Sequence, residues 1–342
     1  MINLAQKVAV IVNPVSAHGR TRRRWPKIER AIREVLDEFS VFMTERPDHA
    51  TALTRKALRD GYDRIVSVGG DGTHHEVLNG FFDGYLPVNP SASMAIVPHG
   101  TGSDLARALG LRRSRDAINL IHRGHSIKVD IGRVTFTRPG GNQDVRYFIN
   151  TADFGIGGAV SKRVTYSKKH LGPMIAYTWG TVAALWGYQP QRMRLQIGGE
   201  VIEDEFLDVV VANGQYFGGG MHVAPGAVMD DGFFEVITIP KLSFWQALPK
   251  LPCLLNGTYI DKVQDVHTYR ATRVVAQCEG NVIVNLDGET PGELPVAVEL
   301  LPSALRLVIG VRDNMLPIEV DPESELGEAA SDSPLPDPSK DA

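Results

Sequence analysis

Three short glycine-rich stretches, each directly behind a run of apolar residues, constrain this chain more than any other feature. Val8–Val12 runs into Asn13-Pro-Val-Ser-Ala-His-Gly19, Arg64–Val68 into Gly69-Gly-Asp-Gly-Thr73, and Met94–Val97 into Pro98-His-Gly-Thr-Gly-Ser-Asp104. A continuous apolar run shows no alternation of faces, so it reads as a strand buried on both sides, as in a parallel sheet covered by helices. Helical spacing lies between the runs: Ile28, Ala31, Ile32, Val35, Leu36 and Phe39 form one stripe. Pro26, which lacks an amide hydrogen, fits only the first turn of that helix. A second helix is expected over 50–58, ending at Gly61. Right-handed crossovers then bring all three turns to the carboxyl edge of one doubly wound sheet, where ligands bind.

Glycines at such an edge let backbone N–H groups face phosphate oxygens, and the following helix N-termini add favourable dipoles. Ser16, Thr73 and Thr101 supply hydroxyl donors, and Asp71 can hold a cation. One such turn reads as a tight turn or a helix cap. Three at equivalent positions read as a phosphate site. None of them is a P-loop or a dinucleotide fingerprint.

Beyond about Lys128 the pattern changes. Residues 129–137, 146–150, 192–197, 206–212, 233–239, 272–277, 282–286 and 296–300 read as strands, with helices over 173–186 and 244–255. The expected class is therefore α/β: an α/β domain over 1–127, then a β-rich, sandwich-like domain over 128–303. A last strand, within 304–312, returns to the first domain. Residues 313–342 are acidic and rich in Pro and Ser, and read as a disordered tail. That tail carries most of the negative charge: the whole chain is at −4, whereas the part before Asp321 is at +2. A body so near neutral does not suggest a nucleic-acid binder. Two cysteines, Cys253 and Cys278, fit a reducing compartment and make neither a disulfide scaffold nor a zinc site. MINLAQKVAVIVNP shows no long apolar run followed by a small-residue cleavage site, and Gly172–Gly187 is too short and too interrupted to span a bilayer, so secretion is not expected and a soluble, cytoplasmic protein is.

VGGDGTHHEVLNG (68–80) with PHGTGSDLAR (98–107) resembles the diacylglycerol kinase catalytic-domain family, which includes bacterial lipid kinases and sphingosine and ceramide kinases. NTADFGIGG (150–158), VANGQYFGGGMHVAPGAVMDDGFFEV (211–236) and NLDGE (285–289) are similar to that family's downstream blocks, in order. The resemblance implies an α/β nucleotide-binding domain, a β-sandwich domain and an active site between them. It implies ATP as co-substrate with Mg2+, and a lipid hydroxyl as acceptor: diacylglycerol, or a sphingoid or other long-chain base. ATP would be held by Gly69, Gly70, Asp71, Gly72 and Thr73, with Asn13, Ser16, Thr44, Gly100 and Thr101. Glu289 matches the general base, with Asp287 and Asp71 completing the catalytic set. The turn at Asp230 and Asp231 resembles a structural magnesium site, with Asp231 and the carbonyls of Val228 and Phe233 as ligands; an ordinary turn is the other reading.

Some residues depart from the family pattern. Ser103 stands where Asn is usual, Ala17-His18 replaces glycines, and His74-His75 replaces a Leu/Ile-Asn pair. The two histidines read as helix residues, not metal ligands. Arg20, Arg22, Arg23 and Arg24 form a basic cluster that could attract ATP or an anionic membrane, or simply start a solvated helix. Tyr177, Trp179, Trp186 and Tyr188 read as core packing first and as lipid contact second. Phe217 and Met221 are pocket-wall candidates. The expected partners are ATP and a lipid at a peripheral membrane contact, without nucleic acid; a homodimer stays open. Two alternatives remain, an NAD kinase-like enzyme and an inactive lipid or nucleotide sensor.

Overall fold

The computed structural model describes residues 6–309 except 101, 112, 124, 139–140 and 167–172, so the expected tail over 313–342 lies outside the described residues. Strands β1 (Val8–Val12), β2 (Ser40–Met43), β3 (Arg64–Gly69) and β4 (Ser93–Pro98) pair in parallel in the order β2-β1-β3-β4. Both faces are covered, which is why these segments carry no polar alternation. Ala9, Ile11, Ile65 and Met94 pack against α2 (His49–Arg59) and α3 (Asp71–Gly80). Their neighbours Val10, Val12, Val66 and Val97 pack against α1 (Arg20–Arg33) and α5 (Ser114–Arg123) on the other face. The short α4 (Asp104–Ala108) follows the third glycine turn. Burying each such side chain stabilises by about 1.5–3 kcal/mol.

Helix α1 begins at Arg20, so Pro26 lies inside it and not in its first turn. Pro26 is exposed while Trp25 and Ile28 are buried. The carbonyl left without an amide partner therefore faces water, where its loss costs least.

The second half contains β5 (Ser126–Thr137), β6 (Gln143–Phe148), β7 (Thr151–Gly155), β8 (Gln191–Ile197), β9 (Glu200–Ala212), β10 (Phe234–Pro240), β11 (His267–Ala271), β12 (Arg273–Cys278), β13 (Ile283–Leu286) and β14 (Glu289–Val308). Among the described residues these join β1–β4 in one 14-stranded sheet. The link is β14. Its start pairs with β13, its middle with β12 and β5, and Arg306 and Leu307 lie parallel to Ser93 and Met94 of β4. The sequence suggested two strands here; the chain makes one, with an irregularity between Leu301 and Leu305. Strand β5 likewise crosses residue 127 without a break.

Pairing closes on itself around the second core. The first half of β9 pairs with β8 and its second half with β7, and β13, β14 and β12 complete the ring. Phe136, Phe148, Phe154, Leu195 and Phe234 fill it. Strand β7 and α6 (Ile156–Tyr166) were not evident from sequence, because Asp153 and the glycines around it resemble a loop. After α7 (Pro173–Gly187), the helix expected over 244–255 is broken into α8 (Phe244–Ala247), a 3-10 turn and α9 (Leu251–Leu255). Pro249 and Pro252 remove the amides a continuous helix would need. Helix α10 (Tyr259–Lys262) follows. No helix among the described residues is long and apolar enough to cross a membrane.

Candidate active site

The parallel register brings the loops after β1, β3 and β4 side by side. Asn13 N donates to Val68 O (3.0 Å), and His99 N donates to Gly69 O (2.6 Å). Gly70 and Gly100 pack backbone against backbone: a Cβ at Gly70 would lie 3.1 Å from Gly100 Cα, and one at Gly100 would run into Gly70 Cα. Only glycine permits that approach. Asn13 Nδ2 donates to Thr73 Oγ1 (3.0 Å), while its Oδ1 accepts from Val15 N (3.1 Å). Ser16 Oγ lies within reach of Asn13 O (2.9 Å), Thr21 Oγ1 (2.5 Å) and His99 O (3.2 Å), so this hydroxyl fastens the first loop to the third. Thr44, just after β2, is buried, and its amide donates to Val12 O (2.9 Å). Gly69 packs against the Thr73 side chain, and Thr101 lies outside the described residues.

Ala17, His18 and Ser103 all adopt left-handed backbone conformations, with φ of 49°, 57° and 58°. That region costs a non-glycine residue roughly 1–2 kcal/mol and is tolerated best by Gly, Asn or Asp. These are the positions where this sequence departs from glycine and Asn, so the loop geometry persists at a cost in strain.

The second half contributes the Asp287-Gly288 turn. Leu286 pairs with Glu289, and both turn residues have positive φ, which makes a two-residue hairpin of the primed type. The Asp287 carboxylate points inward. Oδ1 accepts from Asn150 N (2.9 Å) and Thr151 N (3.0 Å); Oδ2 accepts from Ile149 N (3.0 Å) and faces His75 Nδ1 at 3.2 Å. Glu289 is exposed and reaches the other way: a Cβ added at Gly72 would lie 2.8 Å from its Oε1. A carboxylate of the second half therefore overhangs the first turn of α3.

Asp71 opens α3 and accepts from Leu105 N at 3.3 Å. Burial raises its pKa against three backbone hydrogen bonds, and the Asp287 charge adds to the rise. Asp104 accepts from Gly219 N (2.8 Å) and is pushed up to about 7, first by burial and then by Asp71. Arg107 lies against Gly220 and 6.0 Å from the Tyr216 ring. Sequence reasoning quoted Asp104 and Arg107 inside a motif without giving either a role; only the packing of α4 on the Gly218–Gly220 loop reveals one. His74 and His75 are helix residues, as expected. Burial pulls His74 down to about 3, and its Nδ1 is 2.7 Å from Ser67 Oγ.

The Asp230-Asp231 turn lies in the second half, between Met229 and Gly232. Asp231 Oδ1 accepts from Phe233 N (3.0 Å), and Oδ2 is paired with Arg270 at 2.5 Å, whose guanidinium also covers the Phe233 ring. Val228 is exposed. Arg270 thus pairs with the carboxylate for which the resemblance implies a magnesium ligand.

An apolar cavity of about 90 Å³ opens in the second half. Ile156, Val160, Leu185, Phe217, Met221 and Tyr259 contribute to its wall, with Asp208 at one point and Lys250 at another. Trp179, Trp186 and Trp245 are exposed, and Phe244 joins Trp186 and Trp245 in edge-to-face contacts. Packing of Trp179 and Trp186 in a core, the first sequence expectation, is therefore not what forms; the side chain of Tyr177 lies outside the described residues.

Asp208 and Asp153 share the N-terminal end of α6, hydrogen-bonded by the amides of Gly157 and Gly158, and Asn285 Nδ2 donates to Asp153 Oδ2 (2.5 Å). Burial pushes Asp208 up to about 7; burial and then the Asp208 charge push Asp153 well above the carboxylate range. A raised acid pKa favours the folded state below the unfolded pKa of about 4 and loses that contribution as pH rises through the folded value. Thermal stability should therefore decline between about pH 5 and pH 8. Asp208→Asn should flatten that decline, read as Tm at both pH values; an unchanged slope would remove the pair from the explanation.

Three glycine turns side by side, the Glu289 carboxylate over Gly72 and an apolar cavity in the second half are the features expected of a lipid kinase. Comparison agrees. Residues 7–134 match the diacylglycerol kinase catalytic domain model, and 150–309 match the YegS C-terminal NAD kinase beta sandwich-like domain model. The chain is 30% identical over 294 residues to a diacylglycerol kinase of Staphylococcus saprophyticus, covering 85% of this chain and 92% of that one. It is 27% identical over 297 residues to a diacylglycerol kinase of Bacillus subtilis, covering 85% and 92%. A Bacillus anthracis protein crystallised as a candidate diacylglycerol kinase superposes with a TM-score of 0.73 at 25% identity, over 89% of this chain and 95% of that one. Yeast NADH kinase shares the fold, with a TM-score of 0.52 at 12% identity, over 91% and 85%. The chain belongs to the diacylglycerol kinase family, and it is a lipid kinase.

Proposed function

We propose that this kinase transfers the γ-phosphate of ATP to a hydroxyl of a membrane lipid, with diacylglycerol as the acceptor and a sphingoid or long-chain base as its competitor. The observation that carries the reading is the Glu289 carboxylate overhanging Gly72 at the start of α3. The first-turn amides of α3, which have no intrahelical partner, and the Arg20–Arg24 cluster favour the triphosphate. The lipid oxygen attacks the γ-phosphorus in line, its proton passes to Glu289, and the bond from phosphorus to the β–γ bridging oxygen breaks to release ADP. Asp287, with its oxygens already engaged, sets the hairpin and leaves proton transfer to Glu289.

Asp71 suits the magnesium that accompanies ATP. It is a carboxylate close to a second one, Asp104, and among the described residues no group of three or more His, Cys, Asp or Glu is placed to cage a metal. Mg2+ is usually bound by one or two carboxylates plus phosphates and water, and it supplies neutralising charge to the transferring group. The apolar cavity suits an acyl chain and not the charged second nucleotide of an NADH kinase. The exposed Trp186 and Trp245, with half-buried Phe244 packed edge-to-face against both, fit a peripheral, cytoplasmic-side membrane contact. Incubation with labelled ATP, Mg2+ and vesicles containing diacylglycerol or a sphingoid base, with NAD in parallel, tests this. Label in lipid is expected; label in NAD alone would overturn the reading.

A further inference from the structure

Three elements from distant parts of the chain meet at Asp287, and one of its partners is a side chain, that of His75. His75 lies on α3, one turn after the nucleotide loop, and is buried. Its Nδ1 is 3.2 Å from Asp287 Oδ2, across 212 residues of sequence. The other donors to that carboxylate are backbone amides of Ile149, Asn150 and Thr151, which follow β6. Asn79, one turn further along α3, holds the opposite edge of the ring: its Nδ2 is 3.3 Å from His75 Nε2. Asn79 also binds both the N–H and the C=O of Tyr147 in β6. An ionised carboxylate only accepts, so the arrangement selects the tautomer with hydrogen on Nδ1 and leaves Nε2 to accept from Asn79.

We propose that His75 is a positioning residue that couples the nucleotide-loop helix to the hairpin carrying Glu289. The inference rests on Glu289 being the base. Asp287 and Glu289 flank the single residue Gly288, so a shift of the Asp287 carboxylate swings Glu289 over Gly72. Through His75, movement of α3 on nucleotide binding reaches the proton acceptor without either partner touching substrate.

The geometry makes an unusual demand on substitutions. Asn Nδ2 is bonded to Cγ, as His Nδ1 is, so His75→Asn can donate to Asp287 from nearly the same point. The nitrogen of Gln sits one bond further out, and Ala has none. His75→Ala should lower kcat by about 10–100-fold, the scale of a misplacement near 1 Å, with KM for ATP within about twofold of wild type. His75→Asn should recover most of that loss and His75→Gln little of it. A merely structural role would move KM and kcat together, or would let Gln substitute as well as Asn; either result, or a kcat for His75→Ala within twofold of wild type, overturns the proposal. Hydrogen exchange supplies a readout without turnover. The amides of Ile149, Asn150 and Thr151 should exchange at least about tenfold faster in His75→Ala, with protection restored by Asn. Unchanged exchange would sink the coupling even in an active enzyme. Faster exchange in His75→Ala, with a wild-type protein that phosphorylates no lipid, would sink the functional reading and leave the coupling in place.

Discussion

Glu289→Gln should slow phosphate transfer to lipid by about 10²–10⁴-fold while leaving the fold and ATP affinity intact. The substitution keeps length and shape but removes the basic lone pair. Glu289 is exposed and lies at the beginning of β14, so no buried partner is orphaned, and stability should change by no more than about 0.5 kcal/mol. Asp287→Asn makes the informative contrast. One oxygen of Asp287 accepts two amides and the other accepts one amide and faces His75. An NH2 group turned toward those donors leaves at least one of them unsatisfied, which costs about 1–3 kcal/mol. Asp287→Asn should therefore lose Tm as well as rate. An inactive but fully stable Asp287→Asn, beside an active Glu289→Gln, would transfer the role of base to Asp287.

Asp71→Asn should reduce kcat by roughly 10²–10³-fold, because losing several kcal/mol of metal-borne charge stabilisation at the transferring phosphate corresponds to that range. The amide oxygen of Asn can keep the hydrogen bond from Leu105 N, so the loop is disturbed less than by Asp71→Ala. Two further signs distinguish this from a folding defect. The Mg2+ concentration for half-maximal rate should rise. The pKa of Asp104, now held near 7 by burial and by the Asp71 charge, should fall when that charge is removed. A Mg2+ dependence identical to wild type would separate Asp71 from the metal.

The departure at His74-His75 illustrates how far local reading reaches. Helical spacing correctly assigned both to α3, yet the two rings do different things. His74 turns to Ser67 beneath the helix, and His75 turns to a hairpin more than two hundred residues away. No periodicity carries that second fact. Asp287-Gly288 is similar: the dipeptide announces a two-residue hairpin, and a hairpin forms, but a solvated turn and an inward-pointing Asp share the same two letters. At Asp231 the Asp-Asp-Gly turn was legible, whereas the Arg270 guanidinium that occupies it comes from another strand. Strand β7 escaped reading because its buried Asp153 is stabilised by Asn285 and the start of α6, partners absent from its own neighbourhood.

Sequence alone determined the doubly wound half, the gathering of three glycine turns along one edge, the β-rich half and the family. Each of these follows from interactions a few residues long: side-chain alternation, helical spacing, and glycine where backbone must approach backbone. Tertiary structure decided which carboxylate overhangs the first turn of α3, which is locked by amides, and which cation pairs with Asp231. Those outcomes depend on donors and acceptors that meet only after the chain has closed over long distances. A buried polar atom takes its role from the partner it finds there.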